Sequence, residues 1–357
     1  MNTKDATPFP EQGDYLWDGS GPPDPEIQQL EGLLAQYGHD GRPLTVPEEL
    51  PLAKRRRQQL AIRFAAAAVI LVAVGSLAYL TYKSSRVSEA QVVWECVAVS
   101  GNPQIGSRTI VKESTGAKFR VGQTLVTDAG SRASIWQEDL GEIQVEPNSR
   151  VRLVQSGVDR KRIQLERGTI HAAIWAPPTE FVVDTPSATA VDLGCAYTLQ
   201  VNADGSGTLR TTLGWVGFHL NGRDSFIPAG AMCLTRLGVG PDTPYFEDAS
   251  AQFREALQAF DASEPGSDKR EEQLTIVLGQ ARAKDALTLW HLLSRTSGAE
   301  REHVYDRLAV LVPPPHGVTR DGVLSLNRQM LDGYWDELGL GRISVWRMWE
   351  QSATPAS

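Results

Sequence analysis

From Phe64 to Leu80 the chain carries no charged side chain, and this stretch constrains the rest more than any other. At about 17 residues it meets the lower limit for an apolar helix that crosses a bilayer. Leu60, Ala61 and Ile62 extend it on one side, and Thr81 and Tyr82 on the other, so the pattern predicts a transmembrane helix over 60–82. Arg63 lies one turn inside, where a guanidinium can snorkel to the headgroups. A single isolated span satisfies all its backbone groups only as a helix. Lys54, Arg55, Arg56 and Arg57 precede the run, while Lys83 and Arg86 follow it. The excess of cations on the N-terminal side predicts a cytoplasmic N-terminus and an extracytoplasmic C-terminal portion. The bland reading, a buried core helix, fits poorly because such helices rarely run so long without a polar face. A cleaved signal peptide would need an n-region of about 60 residues and a cleavage site before Lys83.

The residues ahead of the run form an acidic arm. Residues 1–53 hold about ten carboxylates against Lys4 and Arg42, within a chain of net charge −8. That balance argues against nucleic acid as a partner. Residues 1–24 are rich in Pro, Gly and Asp and have no period, which predicts disorder. A helix is predicted over 25–37: Asp24 is a good N-cap, Pro25 suits the first helical position and Gly38 can end it. Ile27, Leu30, Leu33, Leu34 and Tyr37 fall on one face. So short a helix is marginal alone. Its apolar stripe is expected either to dock a cytoplasmic partner or to fold against the membrane surface or its own tail. Residues 39–53 are a Pro-punctuated linker, and His39 has no cysteine neighbours to complete a zinc site.

Beyond Val92 the periodicity changes. Short β-branched runs such as Glu142–Val145, Val151–Val154, Arg162–Leu165, Thr169–Ala172 and Phe181–Val183 alternate with turn signals at Gly122, Gly130, Gly141, Pro147-Asn148, Gly157, Gly168 and Pro177-Pro178. The cadence predicts an all-β antiparallel sandwich or roll over 92–240. Within it, Gly122-Gln123-Thr124-Leu125-Val126-Thr127-Asp128-Ala129-Gly130-Ser131-Arg132-Ala133 resembles the pattern Gly-x-x-Leu-x-Thr-x-x-Gly-Ser-Arg-Ala. Gly141 to Val151 is similar to Gly-x-x-Ile-x-Leu-x-Pro-x-Ser, and Leu165 to Ile170 to Leu-x-x-Gly-x-Val. Phe181 to Pro186 resembles Phe-x-Val-x-Thr-Pro, and Val191 to Tyr197 resembles Val-x-x-Leu-Gly-Thr-x-Phe. Together these five pieces resemble the FecR domain, over roughly 117–220.

The resemblance implies a bitopic regulator of the bacterial inner membrane. Its external β domain would sense the state of the envelope or of an outer-membrane protein. Its cytoplasmic segment would bind an extracytoplasmic-function sigma factor or another signalling protein, in the manner of an anti-sigma factor. The sequence departs from the pattern at Cys195, where the family has Thr, and at Tyr197, where it has Phe. The arm is also shorter than a full anti-sigma domain, and no secretin-like short domain is recognisable at the C-terminus. The other reading is a non-catalytic envelope protein that uses the same scaffold to bind a ligand or polymer.

Chemistry is sparse. Cys195 and Cys233 fall near neighbouring strand ends, where a disulfide could form on the oxidising side of the membrane; the other reading is two buried thiols. Cys96 lies beside Trp94. The six histidines, including His171, His219 and His291, lack metal-ligand spacing. Neither a nucleophile elbow nor a carboxylate pair stands out, and Asp184 and Asp192 read as solvated or turn-stabilising carboxylates. The expectation is no enzyme activity and no cofactor.

From residue 245 the period turns helical, predicting a helical domain over 245–352. Phe253, Ala256, Leu257 and Phe260 make one stripe. Leu274 to Leu293 makes another, with a break near Lys284-Asp285. A third helix should run from Glu300 to Leu311, and a fourth from Arg320 to Leu338 with Thr319 as its N-cap. The aromatic end, Tyr334, Trp335, Trp346 and Trp349, reads as core packing or as a partner-binding surface.

Overall fold

The computed structural model describes residues 25–37, 93–111, 116–341 and 343–344. The span expected over 60–82, and the cations Lys54 to Arg57 that would orient it, lie outside these residues. So do Asp24, Trp346 and Trp349. Among the described residues no helix is long and apolar enough to cross a membrane. The chain divides into two compact units, residues 1–81 and 82–357.

In the first unit, α1 spans Pro25–Leu34 and continues as a 3-10 turn over Ala35–Tyr37. In the second, the strands are β1 (Trp94–Ser100), β2 (Gln104–Ile105), β3 (Arg108–Thr109), β4 (Ala117–Phe119), β5 (Thr124–Val126), β6 (Arg132–Gln137), β7 (Gly141–Val145), β8 (Arg150–Ser156) and β9 (Lys161–Ile174). They continue as β10 (Phe181–Asp184), β11 (Thr189–Asp192), β12 (Ala196–Val201), β13 (Gly207–Leu213), β14 (Trp215–Leu220), β15 (Arg223–Pro228), β16 (Ala231–Arg236), β17 (Gly240–Pro241) and β18 (Tyr245–Phe246). One sheet runs β4-β1-β6-β7-β9-β12-β13-β16, and β16 then pairs with β17 and β18. The other runs β3-β2-β5-β8-β9-β10-β11-β14-β15.

The two sheets share β9, which the sequence predicts as two strands parted at Gly168. Gly168 instead carries the strand through with φ +93°, and a Cβ there would sit 2.2 Å from Ser149 Oγ. The glycine is a bend between sheets, not a turn. Lys161 to Arg167 pairs with β8, and Gly168 to Ala173 pairs with β12. The all-antiparallel expectation fails at one place: β10 runs parallel to β9, with Phe181 opposite Lys161.

Alternation then builds the core. On β6 and β7, Ala133, Ile135, Ile143 and Val145 are buried, and on β8 and β9 so are Val151, Leu153, Ile163 and Leu165. Trp94 of the first sheet lies 6.5 Å from Phe181 of the second, and its indole N–H donates to Ser156 Oγ at 2.9 Å. The sheets therefore face each other across an apolar layer, as the period-2 pattern requires.

The helices are α2 (Ala251–Ala262), α3 (Asp268–Gln280), α4 (Ala286–Arg295), α5 (Gly298–Leu311), α6 (Arg320–Leu324) and α7 (Arg328–Glu337). The stripe Phe253, Ala256, Leu257 and Phe260 is buried. Thr319 caps α6 by accepting from the Gly322 N–H. The single helix expected over 320–338 is broken, because Leu326 adopts φ +57° and Asn327 opens a new helix by capping Met330. Tyr334 and Trp335 are fully buried, which settles them as core.

These helices belong to the same compact unit as the sheets. Trp335 packs edge-on against Phe226 of β15 with centroids 5.1 Å apart, and against Trp290 at 4.9 Å. His291 Nε2 accepts the Phe226 N–H at 3.0 Å, while its Nδ1 faces the Leu287 carbonyl at 2.8 Å. That pairing requires a neutral ring protonated at Nδ1. It gives an outward N–H of edge strand β15 a partner that an unprotected edge would lack.

Candidate functional site

α1 has no buried residue. Leu30, Leu33, Leu34 and Tyr37 are 56–79% exposed, and Ile27 is half-buried. An amphipathic stripe left uncovered in so short a helix calls for an apolar partner surface, because little else stabilises it.

The second candidate is the solvent face of the first sheet. Register aligns Ser134, Gln144, His171, Thr198 and Arg210 in one row across β6, β7, β9, β12 and β13. His171 Nδ1 lies 2.8 Å from Thr198 Oγ1, and its Nε2 lies 3.6 Å from Glu146, which also pairs with Arg132 at 2.9 Å. One row along, Ala173 faces Ala196, and these small side chains floor a trough of about 290 Å³ walled by Glu142, Gln144, His171 and Thr212. Exposed Trp136, Trp175 and Leu213 complete the surroundings of that face. An open trough of mixed donors, acceptors and apolar rims suits contact with an extended polymer.

The cysteines correct an expectation. Cys96, Cys195 and Cys233 are all free and buried, so the Cys195–Cys233 bridge is not formed. Cys233 sits opposite Leu209 on β13, whereas Ala196, next to Cys195, sits opposite Leu213. Four residues along a strand is about 13 Å, well beyond the roughly 7 Å that a bridge can span. Cys233 instead donates to the Asp242 carbonyl at 3.1 Å, and burial pushes its thiol up to about 12. Cys195 donates to Asp192 Oδ2, and burial, followed by the Asp192 charge, raises its thiol far above the ordinary range. Asp192 also accepts the Gly194 N–H at 2.7 Å, so it does stabilise a turn, but it is buried and not solvated. Burial lifts its carboxyl to about 7 against the opposing hydrogen bonds. Asp184 remains at the surface, paired with Arg162 at 3.3 Å.

A cluster that the sequence does not reveal joins helices to strands. Half-buried Arg295 donates to Thr243 Oγ1 at 2.7 Å, to Ser225 Oγ at 2.6 Å and to the Asp224 carbonyl at 3.0 Å. Asp261 accepts from Thr243 and from Arg223, and Arg236 grips Asp242 with two nitrogens. Five charges scattered over 70 residues of sequence carry no local period, so nothing in the sequence marks them as one network.

Residues 123–214 match the family described as FecR protein. The chain carries a FecR domain. The match begins just before β5 and ends just before β14, so both β9 and the His171 row belong to the FecR domain. Two crystal structures of a candidate anti-sigma factor from Parabacteroides distasonis ATCC 8503 resemble the chain at 16% identity, with TM-scores of 0.32 and 0.31. In each case the likeness covers 38% of this chain and 64% of the other. No curated protein sequence matches the chain.

Proposed function

We propose that the chain is a single-pass regulator of the bacterial inner membrane. The FecR domain senses the envelope outside, and α1 docks an extracytoplasmic-function sigma factor or a similar signalling protein inside. The observation that carries the reading is the FecR match over 123–214 in a chain whose short amphipathic helix, α1, is bare. The apolar run at 64–80 and its N-terminal cations support the topology. In this arrangement the protein performs no bond chemistry, and regulation consists of holding or releasing a partner.

Affinity capture with the tagged full chain, read by mass spectrometry, tests this. Wild type should recover a sigma factor, and Leu30→Asp/Leu33→Asp should lose it. Equal recovery by both would remove α1 as the docking element. The trough on the first sheet favours a second reading, an envelope binder, for which the double substitution would leave ligand capture unchanged.

A further inference from the structure

Among the strands beside β1 lies a cleft of about 300 Å³ lined by Arg108, Lys118 and Arg120, with Ile105 and Ile110 at its base. The three cations are exposed. None makes an ion pair among the described residues, although elsewhere arginines such as Arg132, Arg150, Arg162, Arg210 and Arg236 are paired. One carboxylate, Glu95, faces Lys118 across the β1–β4 ladder without reaching ion-pair distance. The loop sequence from Lys112 to Thr115 is neutral overall. A local excess of about two positive charges thus persists in a chain of net charge −8. Three valines on the neighbouring segments, Val93, Val111 and Val121, are 48%, 59% and 37% exposed.

Unpaired cations next to exposed aliphatic side chains are what an anionic lipid surface selects. The cations meet phosphates, and the aliphatic groups meet the headgroup–acyl boundary. Position favours the same ligand. β4 pairs with Trp94 to Cys96, the first described strand after the apolar run, and 12 residues lie between Leu80 and Val93. An extended chain of that length reaches at most about 45 Å. We propose that the Arg108–Lys118–Arg120 cleft docks the FecR domain onto anionic headgroups of the bilayer that anchors it. This rests on the membrane-anchored reading above. Docking of this kind would hold the domain close to the membrane until an envelope partner lifts it away.

The test uses the full chain reconstituted in nanodiscs of phosphatidylcholine, with or without phosphatidylglycerol, and reads amide hydrogen exchange over residues 104–126. Phosphatidylglycerol should slow exchange there at least about tenfold. High salt, or Arg108→Gln/Lys118→Gln/Arg120→Gln, should abolish the slowing while the exchange of β7, β9 and β12 stays unchanged. Equal exchange in both lipids overturns the proposal and assigns the cleft to a soluble acidic partner. Alkaline carbonate extraction reads the anchor separately. If the chain is extracted, the anchored reading fails. The cleft is then judged by flotation of the same chain with added phosphatidylglycerol vesicles: flotation lost in the triple variant supports it, and no flotation overturns it.

Discussion

Two buried titratable groups act in opposite directions on stability. His291 is neutral in the fold because burial, then the nearby Arg295 charge, pulls its pKa down to about 3. An unfolded chain titrates it near its ordinary value of about 6.5. Its contribution is therefore full above pH 6.5 and is lost as the pH falls towards 3. Asp192 has the reverse sign. Its folded pKa of about 7 lies above its unfolded value, so its contribution is full below about pH 4 and is lost as the pH rises through 7. Each slope approaches about 1.4 kcal/mol per pH unit at its steepest. Between pH 4 and 6.5 they largely cancel, and the wild-type profile alone should look flat. Urea titrations from pH 4 to 8 should separate them. Asp192→Asn should leave an acid-sensitive profile, and His291→Gln should leave one that falls towards neutral pH. Parallel profiles for all three proteins would mean that neither group titrates as its burial requires.

At the scale of single elements, β9 shows what local sequence can and cannot say. Its alternating halves, Arg162–Leu165 and Thr169–Ala172, are legible, and the helical stripes over 253–260 and 274–293 are equally plain. The join is not legible, because a glycine between two strands reads as a turn unless one knows that Ser149, from the connection between β7 and β8, packs against it. Gly168→Ala should cost about 2–4 kcal/mol, combining a left-handed backbone with a clash against Ser149. The midpoint of urea unfolding measures it, and an unchanged midpoint would mean that the bend relaxes freely. α1 is the opposite case. Among the described residues, nothing covers its stripe of Leu30, Leu33, Leu34 and Tyr37. Leu30→Asp/Leu33→Asp should therefore leave the melting temperature of the β and helical unit within about 1 °C, since exposed side chains stabilise little. The effect of the pair should appear only in partner capture.

For the second compact unit as a whole, the expected boundary between a β domain and a helical domain raises the question of cooperativity. The period change near residue 245 is real, yet the surfaces on either side are not independent. Phe226, Trp290 and Trp335 form one aromatic cluster drawn from both, and His291 completes the backbone bonding of β15. Arg295 sits at the centre of the polar part of this seam. Burial lowers its pKa to about 10, which still leaves it charged at neutral pH, and that charge answers Asp261 and Asp242. Burial also holds the Asp242 carboxyl above its usual range, with the neighbouring Asp261 charge adding to the effect. Removing the guanidinium would leave Arg223 and Arg236 as the cations paired with Asp261 and Asp242, and would strip Ser225 and Thr243 of their donor. Arg295→Met should therefore cost about 2–4 kcal/mol, because three acceptors lose a charged donor. Arg295→Lys should recover only part of it, because one ammonium cannot reproduce three bonds directed from two nitrogens. Hydrogen exchange then decides between one folding unit and two. If the seam joins them, the amides of β12 and of α4 lose protection together in Arg295→Met. If only α4 loosens while β12 keeps its wild-type protection, the helices form a separable domain and the seam is a mere contact.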